Sequence, residues 1–140
     1  LFLRQKKYDK SMTHYNKAIE IYPYYTEAYL QKGLLYAHTG KEIEAREVFE
    51  KVLILDPNNF HANNNLGILL RHGNQVEAAV AYFRGAVRLN PDSVQARFNL
   101  GEALLRLGQK DEARRHFIHI ARAGFRLPTQ IEDFLKSTDP

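Results

Sequence analysis

The stretch NLGILLRHGNQVEAAVAYF, residues Asn65–Phe83, recurs in altered form 34 positions later as NLGEALLRLGQKDEARRHF, residues Asn99–Phe117. It is foreshadowed 34 positions earlier by QKGLLYAHTGKEIEAREVF, residues Gln31–Phe49. Glycine holds one column (Gly33, Gly67, Gly101), alanine a second (Ala45, Ala79, Ala113) and phenylalanine a third (Phe49, Phe83, Phe117). Pro23, Pro57 and Pro91 keep the same step. Four columns on one period identify an internal repeat, and a repeat of this length is one supersecondary unit.

Apolar residues inside each unit recur at three- and four-residue steps, as in Ile43, Val48, Phe49, Val52 and Leu55. That is the period of an amphipathic helix. Each unit therefore reads as a helical hairpin: 27–38 with 42–55, 60–72 with 75–89, and 93–107 with 110–123. Gly40, Gly73–Asn74 and Gly108 fall in the breaks, where a left-handed residue ends a helix. The prolines follow the second helices, where the chain has to stop and turn. Glycine opposite phenylalanine lets two helices approach where a side chain would collide, and the ring fills the space. Burying each phenylalanine contributes about 2–3 kcal/mol. These columns are scaffold and carry no site. One hairpin cannot bury its own apolar face, so neighbours must stack.

At 140 residues the chain is expected to be a single domain. It opens on Leu1, inside what reads as a helix, and so reads as a piece of a longer protein. No apolar run has the length of a membrane span, and no secretory leader is visible. The chain has no cysteine, which excludes disulfides and thiolate metal sites but selects no compartment; the cytoplasm is the default. The net charge of +4 is uneven: residues 1–17 and 106–126 carry +4 each and the rest −4. Basic ends favour acidic partners, protein or nucleic acid, but solvated helix faces are the more ordinary source of such charge.

Gly33–x2–Tyr36, Ala45–x3–Phe49 and Pro57 resemble the tetratricopeptide repeat, which has this period and this order of small, aromatic and proline positions. The resemblance implies an all-α fold, a right-handed superhelical solenoid of helical hairpins. Full repeats are expected at 26–59, 60–93 and 94–127. Residues 1–25 resemble the tail of a first helix and a whole second helix, with Tyr15 and Ala18 in the aromatic and small columns. Residues 128–140 are expected to form a capping helix and tail. There Thr129 and Glu132 make a capping-box pattern, and Ile131, Phe134 and Leu135 would cover the end of the stack. The family's tryptophan is replaced by Tyr29, Asn63 and Arg97, its leucine by Lys32 in the first full repeat, and its proline by Phe125 in the last.

The same resemblance implies a concave surface lined by first helices. Its positions here are Glu27, Leu30, Gln31, Leu34 and Ala37, then His61, Asn64, Asn65, Ile68 and Arg71, then Gln95, Phe98, Asn99, Glu102 and Leu105. Gln31, Asn65 and Asn99 share one column, and a carboxamide both donates to and accepts from a peptide backbone. The Asn–Leu–Gly motifs at 65–67 and 99–101 are similar to the asparagine ladders of tetratricopeptide domains in protein glycosyltransferases and cargo adaptors. Leu30, Leu34, Ile68, Phe98 and Leu105 would form apolar pockets between the amides. The clamp of lysines, asparagines and an arginine that reads chaperone tails would fall on Leu30, Leu34, Asn65, Gln95 and Asn99; only Asn65 fits, and without the cations a terminal carboxylate lacks charge-assisted bonds, which argues against that function.

The expected function is thus a scaffold for an extended peptide or partner protein. Two alternatives are a substrate-recruiting arm of a larger enzyme, such as a glycosyltransferase, and a self-assembling module pairing through an N-terminal edge of Leu1, Phe2 and Leu3. No catalytic motif, cofactor site or phosphate loop is found. His116 and His119, with Glu112 one turn earlier, have helical zinc spacing but no further ligand nearby, so no metal is expected. Nucleic acid is an unexpected partner, because the basic residues are scattered instead of lining the first helices.

Overall fold

The structure, a computed structural model, describes residues 2–137, the side chain of Phe2 excepted. The expected tail at 138–140, and Leu1 with the Phe2 ring from the expected N-terminal edge, lie outside the described residues. Leu3, the remaining member of that edge, is exposed. Eight helices follow one another among the described residues: α1 (Phe2–Ile21), α2 (Thr26–His38), α3 (Glu42–Leu55), α4 (Phe60–His72), α5 (Val76–Leu89), α6 (Val94–Arg106), α7 (Lys110–Arg122) and α8 (Thr129–Lys136). The chain divides into two compact units, Leu1–Leu66 and Gly67–Pro140.

In the first unit α2 packs against both α1 and α3. Ala28, Leu30, Ala45, Phe49 and Val52 are buried there. A Cβ built on Gly33 would lie 2.6 Å from Cε1 of Phe49. That separation allows no side chain at Gly33, which is why the column is glycine. In the second unit α6 lies against α5 and α7. Phe83, Leu100, Leu104, Phe117 and Ile120 form its core, joined by Leu127 and Ile131. The spacing repeats: a Cβ on Gly67 would lie 2.5 Å from Phe83, and one on Gly101 2.6 Å from Phe117.

The hairpin turns fall on one column. Gly40 (φ 75°), Asn74 (φ 59°) and Gly108 (φ 74°) stand in the left-handed region. At the middle turn Asn74, not Gly73, takes that conformation. The next amide then reaches back five residues, from Lys41 to the Tyr36 carbonyl, Gln75 to Leu70 and Gln109 to Leu104, at 2.8–2.9 Å. The same column at the chain's start holds Lys6, a residue that avoids a left-handed backbone. Accordingly α1 runs unbroken for 20 residues, with no turn between a first-helix tail and a second helix.

The loops between hairpins are also columnar. Asn59 Oδ1 accepts from the Ala62 amide at 3.0 Å, and Ser93 Oγ from the Ala96 amide at 3.2 Å. Each caps the helix that follows. The residue before α2 in that column is Tyr25, which caps nothing. Its loop, Ile21–Tyr22–Pro23–Tyr24–Tyr25, carries exposed tyrosines where the later loops carry Asp56, Asn58 and Asn59 or Asn90, Asp92 and Ser93. Two of the three residues that stand in for the family's tryptophan make bonds of their own. Asn63 Nδ2 donates to the carbonyls of Asn59 and Pro57, and Arg97 Nε donates to that of Pro91. A polar residue at this position ties its helix to the preceding loop, which an indole ring would instead cover.

At the C-terminal end α8 starts from Pro128 and makes no side-chain cap. The expected Thr129–Glu132 capping box is not formed; the Pro128 carbonyl accepts from the amides of Ile131 (2.9 Å) and Glu132 (3.0 Å) instead. Ile131 is buried in the core of the second unit, with Phe134 and Leu135 packed against it. Arg114 of α7 holds this helix. Its guanidinium donates to the carbonyls of Leu135 (2.8 Å), Ser137 (3.0 Å) and Phe134 (3.2 Å), and lies 4.7 Å from the Phe134 ring centroid. A cation on the last carbonyls of a helix also meets the negative end of its dipole.

Candidate functional site

The candidate residues fall on α2, α4 and α6. In the first unit Leu30 is buried, whereas Gln31 and Leu34 are half-buried on the same helix. Gln31 Nε2 donates to Glu27 Oε1 at 2.6 Å, one turn earlier, which leaves its own carbonyl oxygen as an acceptor. Asn64 is buried and Asn65 half-buried. In the second unit Ile68 packs partly buried against the core. The Phe98 ring meets that of Phe117 edge-on, with centroids 5.8 Å apart. Asn99 is buried at 7% exposure. Asn64 and Asn99 are both engaged by their surroundings. Asn65 is therefore the less buried of the two asparagines in its column.

Two candidates 31 residues apart in sequence meet directly. Arg71 Nη1 of α4 donates to Glu102 Oε2 of α6 at 2.8 Å. Its guanidinium also sits 5.7 Å from the Phe83 ring centroid. Glu102 fixes the guanidinium, and the ring beneath it favours a cation. Around this pair lies a cavity of about 430 Å³ lined also by His72, Leu105, Arg106 and Ile131. Two arginines against one glutamate leave it net positive on an apolar base. The participation of Ile131 from α8 was not foreseen from sequence; the side chain reaches the cavity because α8 folds back onto the core.

Of the residues weighed as a zinc site, His116 and Glu112 are used otherwise. Arg97 Nη1 lies 3.3 Å from His116 Nδ1, which makes Nδ1 the acceptor and places the proton on Nε2, 3.9 Å from Glu112 Oε1. Glu112 is itself held by Arg84, at 2.7 Å and 3.3 Å. Burial, reinforced by the Arg97 charge, pushes the His116 pKa below its ordinary value. The Arg84 hydrogen bond pulls that of Glu112 down. The signs add. Unfolding lets His116 take up a proton that the folded chain refuses, so its contribution is lost as pH falls below 6.5, the unperturbed value. The Glu112 contribution is complete above 4.5 and is lost as pH falls through the lower folded value. Stability measured by urea unfolding is thus expected to drop between about pH 7.5 and 5.5, and His116→Gln to flatten that drop. An unchanged slope in the variant would remove His116 as its source. Among the described residues no group of three His, Asp or Glu is arranged to hold a metal ion. No helix there is long and apolar enough to cross a membrane.

Sequence reasoning did not find one feature of the first unit. A cavity of about 460 Å³ opens between α1 and α2, and Gln31 and Leu34 of the candidate set line it. Ser11 and Tyr15 stand there in the small and aromatic columns of the later alanines and phenylalanines.

Comparison with known proteins agrees with this geometry. A tetratricopeptide repeat family model matches residues 30–93 and 64–118, and a second tetratricopeptide model matches residues 1–25. RNA polymerase II-associated protein 3 of Mus musculus is 38% identical over 65 residues, which are 46% of this chain and 10% of that protein. The UDP-N-acetylglucosamine–peptide N-acetylglucosaminyltransferase of Giardia intestinalis is 40% identical over 53 residues, 38% of this chain and 4% of the enzyme. The chain thus spans a tenth or less of these two relatives' own lengths. The crystal structure of YrrB, a TPR protein with an unusual peptide-binding site, superposes with a TM-score of 0.76 at 30% identity, covering 87% of this chain and 63% of YrrB. The fold class is the all-α helical-repeat solenoid of that structure.

Proposed function

Because the chain belongs to the tetratricopeptide repeat family, we propose that it is a non-catalytic interaction scaffold holding an extended peptide or partner protein against the faces of its first helices. The observation that carries this reading is the cavity around Arg71 and Glu102. An ion pair there is fixed on an aromatic ring beside the apolar side chain of Leu105. Such a site offers an orienting charge and an apolar seat, the combination in which binding hot spots occur. In the same unit the half-buried Ile68 and Phe98 supply further apolar seats; the first unit by itself offers Leu34 as an apolar seat and Gln31 and Asn65 as amides for a peptide backbone. In this reading Leu30, Asn64 and Asn99, being buried, shape the face from beneath, and the amide column is read mainly through Asn65. The peptide-binding site of YrrB supports the class of ligand.

The test is panning of a random peptide library against the whole chain, followed by fluorescence anisotropy on the selected peptide. Asn65→Ala and Arg71→Ala are each expected to weaken binding by about tenfold, or ~1.4 kcal/mol, with the circular dichroism of both variants unchanged. Unchanged affinity in both variants, or failure to select any peptide, would sink the proposal.

The similarity to the Giardia intestinalis glycosyltransferase favours a second reading, in which these repeats are the recruiting arm of a larger enzyme. A catalytic domain in the same reading frame is the expected finding; a frame without one ends that reading.

A further inference from the structure

The side of α3 that turns away from the core departs from its counterparts. Ala45, Phe49 and Val52 are fully buried, and the opposite side of the helix carries Ile43, Glu47, Glu50 and Ile54 at steps of four, three and four residues. Such steps keep one line along a helix. Ile43 is 75% exposed and Ile54 74%. The same two columns hold Glu77 and Arg88 on α5 and Asp111 and Arg122 on α7, all exposed. This side therefore faces solvent in each repeat, wherever the helix stands in the chain. An acid in the first turn and a base in the last stabilise a helix through its dipole, as on α5 and α7. The last turn of α3 has no base. Its two isoleucines are poorer helix formers than alanine or arginine, and they stand in water. The fold gains nothing from them.

We propose that this side of α3 docks a basic amphipathic helix of a partner protein, which seats apolar side chains on Ile43 and Ile54 and sets lysine or arginine between them against Glu47 and Glu50. Steps of four, three and four residues are the seam along which two helices pack side by side. Ile43 and Ile54 stand about 16 Å apart along it, at the rise of an α-helix. Charge complementarity selects the occupant. α3 carries Glu42, Glu44, Glu47 and Glu50 against Arg46 and Lys51, a net of −2. Arg46 holds Glu50 at 2.8 Å, whereas the carboxylates of Glu44 and Glu47 make no ion pair or hydrogen bond among the described residues. An acidic side repels phosphate and anionic lipid, which leaves a protein helix. It also repels a second α3. No stretch of this sequence has the order apolar, basic, basic, apolar at those steps; the nearest, Leu3, Lys7, Lys10 and His14, ends on a histidine. This surface goes beyond the first-helix peptide site and does not depend on it.

The probe is a fluorescein-labelled, hydrocarbon-stapled helix with leucine, arginine, arginine and leucine at those steps in an alanine–glutamine background. Its counterpart has glutamates for the arginines, and anisotropy reads both on the full chain at low salt. The wild type is expected to bind the arginine helix about tenfold more tightly than the glutamate helix. Ile43→Ala/Ile54→Ala is expected to weaken the arginine helix by about tenfold, and Glu47→Gln to narrow the preference. Urea unfolding of the isoleucine variant is expected to show stability equal to the wild type's or higher, alanine being the better helix former. A marked loss of stability would mean that the isoleucines serve the fold, and overturns the proposal. Equal binding of the two helices, binding of neither, or an affinity that survives the isoleucine variant overturns it too. Sedimentation that finds the wild type dimeric and the isoleucine variant monomeric gives the face to a second copy and overturns the partner. Asn65→Ala and Arg71→Ala are expected to leave helix binding unchanged. If they abolish it, the probe sits on the first helices, and this face fails while the scaffold reading stands.

Discussion

Phe83→Ala is expected to lower the unfolding free energy by about 3–5 kcal/mol, enough to take a large part of the stability of a small domain. The ring is fully buried and lies against the backbone of Gly67 at a distance that admits no Cβ. Arg71 holds its guanidinium over the same ring. Truncation opens a cavity that the stiff helix at Gly67 cannot close, and it also removes the support under Arg71. The reciprocal change is informative. Gly67→Ala places a methyl group 2.5 Å from Phe83 Cε1, and the resulting shift is expected to cost about 1–3 kcal/mol. Combined with Phe83→Leu, which makes room for the methyl group, the two losses are expected to be less than additive by about 0.5–3 kcal/mol. Urea unfolding followed by circular dichroism measures all three. Strict additivity would show that Gly67 and Phe83 are not a matched pair.

Arg114→Ala carries the second large effect. One guanidinium satisfies three carbonyls at the end of α8 and stacks on Phe134. Hydrogen bonds to a charged group contribute about 1.5–3 kcal/mol where water is excluded, but Arg114 is only half-buried, so a total near 2–3 kcal/mol is expected for the docking of α8. Loss of that docking exposes Ile131 and Leu127, with Phe134. Hydrogen exchange should therefore accelerate across α8 while α6 and α7 keep their protection. Arg114→Lys is not expected to restore α8, because an ammonium has no planar fork with which to meet several carbonyls. Unchanged exchange in α8 after Arg114→Ala would show that Ile131 alone holds the helix.

The hairpins were legible in the sequence because each depends on a local rule that repeats. A glycine facing a phenylalanine, a left-handed residue at 40, 74 and 108, and a polar cap at 59 and 93 all recur at one spacing. The unbroken α1 was legible only by comparing columns, since Lys6 is unremarkable until it is set beside Gly40. The α8 start was misread because Thr129–Gln130–Ile131–Glu132 has the residues of a capping box, whereas Pro128 had already fixed the backbone and offered its carbonyl. The candidate face was legible by position and less so by exposure. Periodicity assigns Leu30, Asn64 and Asn99 to a helix side, but their burial depends on packing that spacing does not encode. Arg71 with Glu102, and Arg114 with α8, depend on side-chain reach between helices, which no pattern within one helix reveals.

The side-chain bond between Arg71 and Glu102 joins residues only 31 apart along the chain, and that between Arg84 and Glu112 residues 28 apart. Ordering such a chain closes only short loops, and the entropy of closing a loop rises with its length. Chains whose contacts are this local fold in microseconds to milliseconds. A chain leaving the ribosome would need little more than one repeat's length outside before Gly33 could meet Phe49, so the first unit can settle while the residues of the second are still being added.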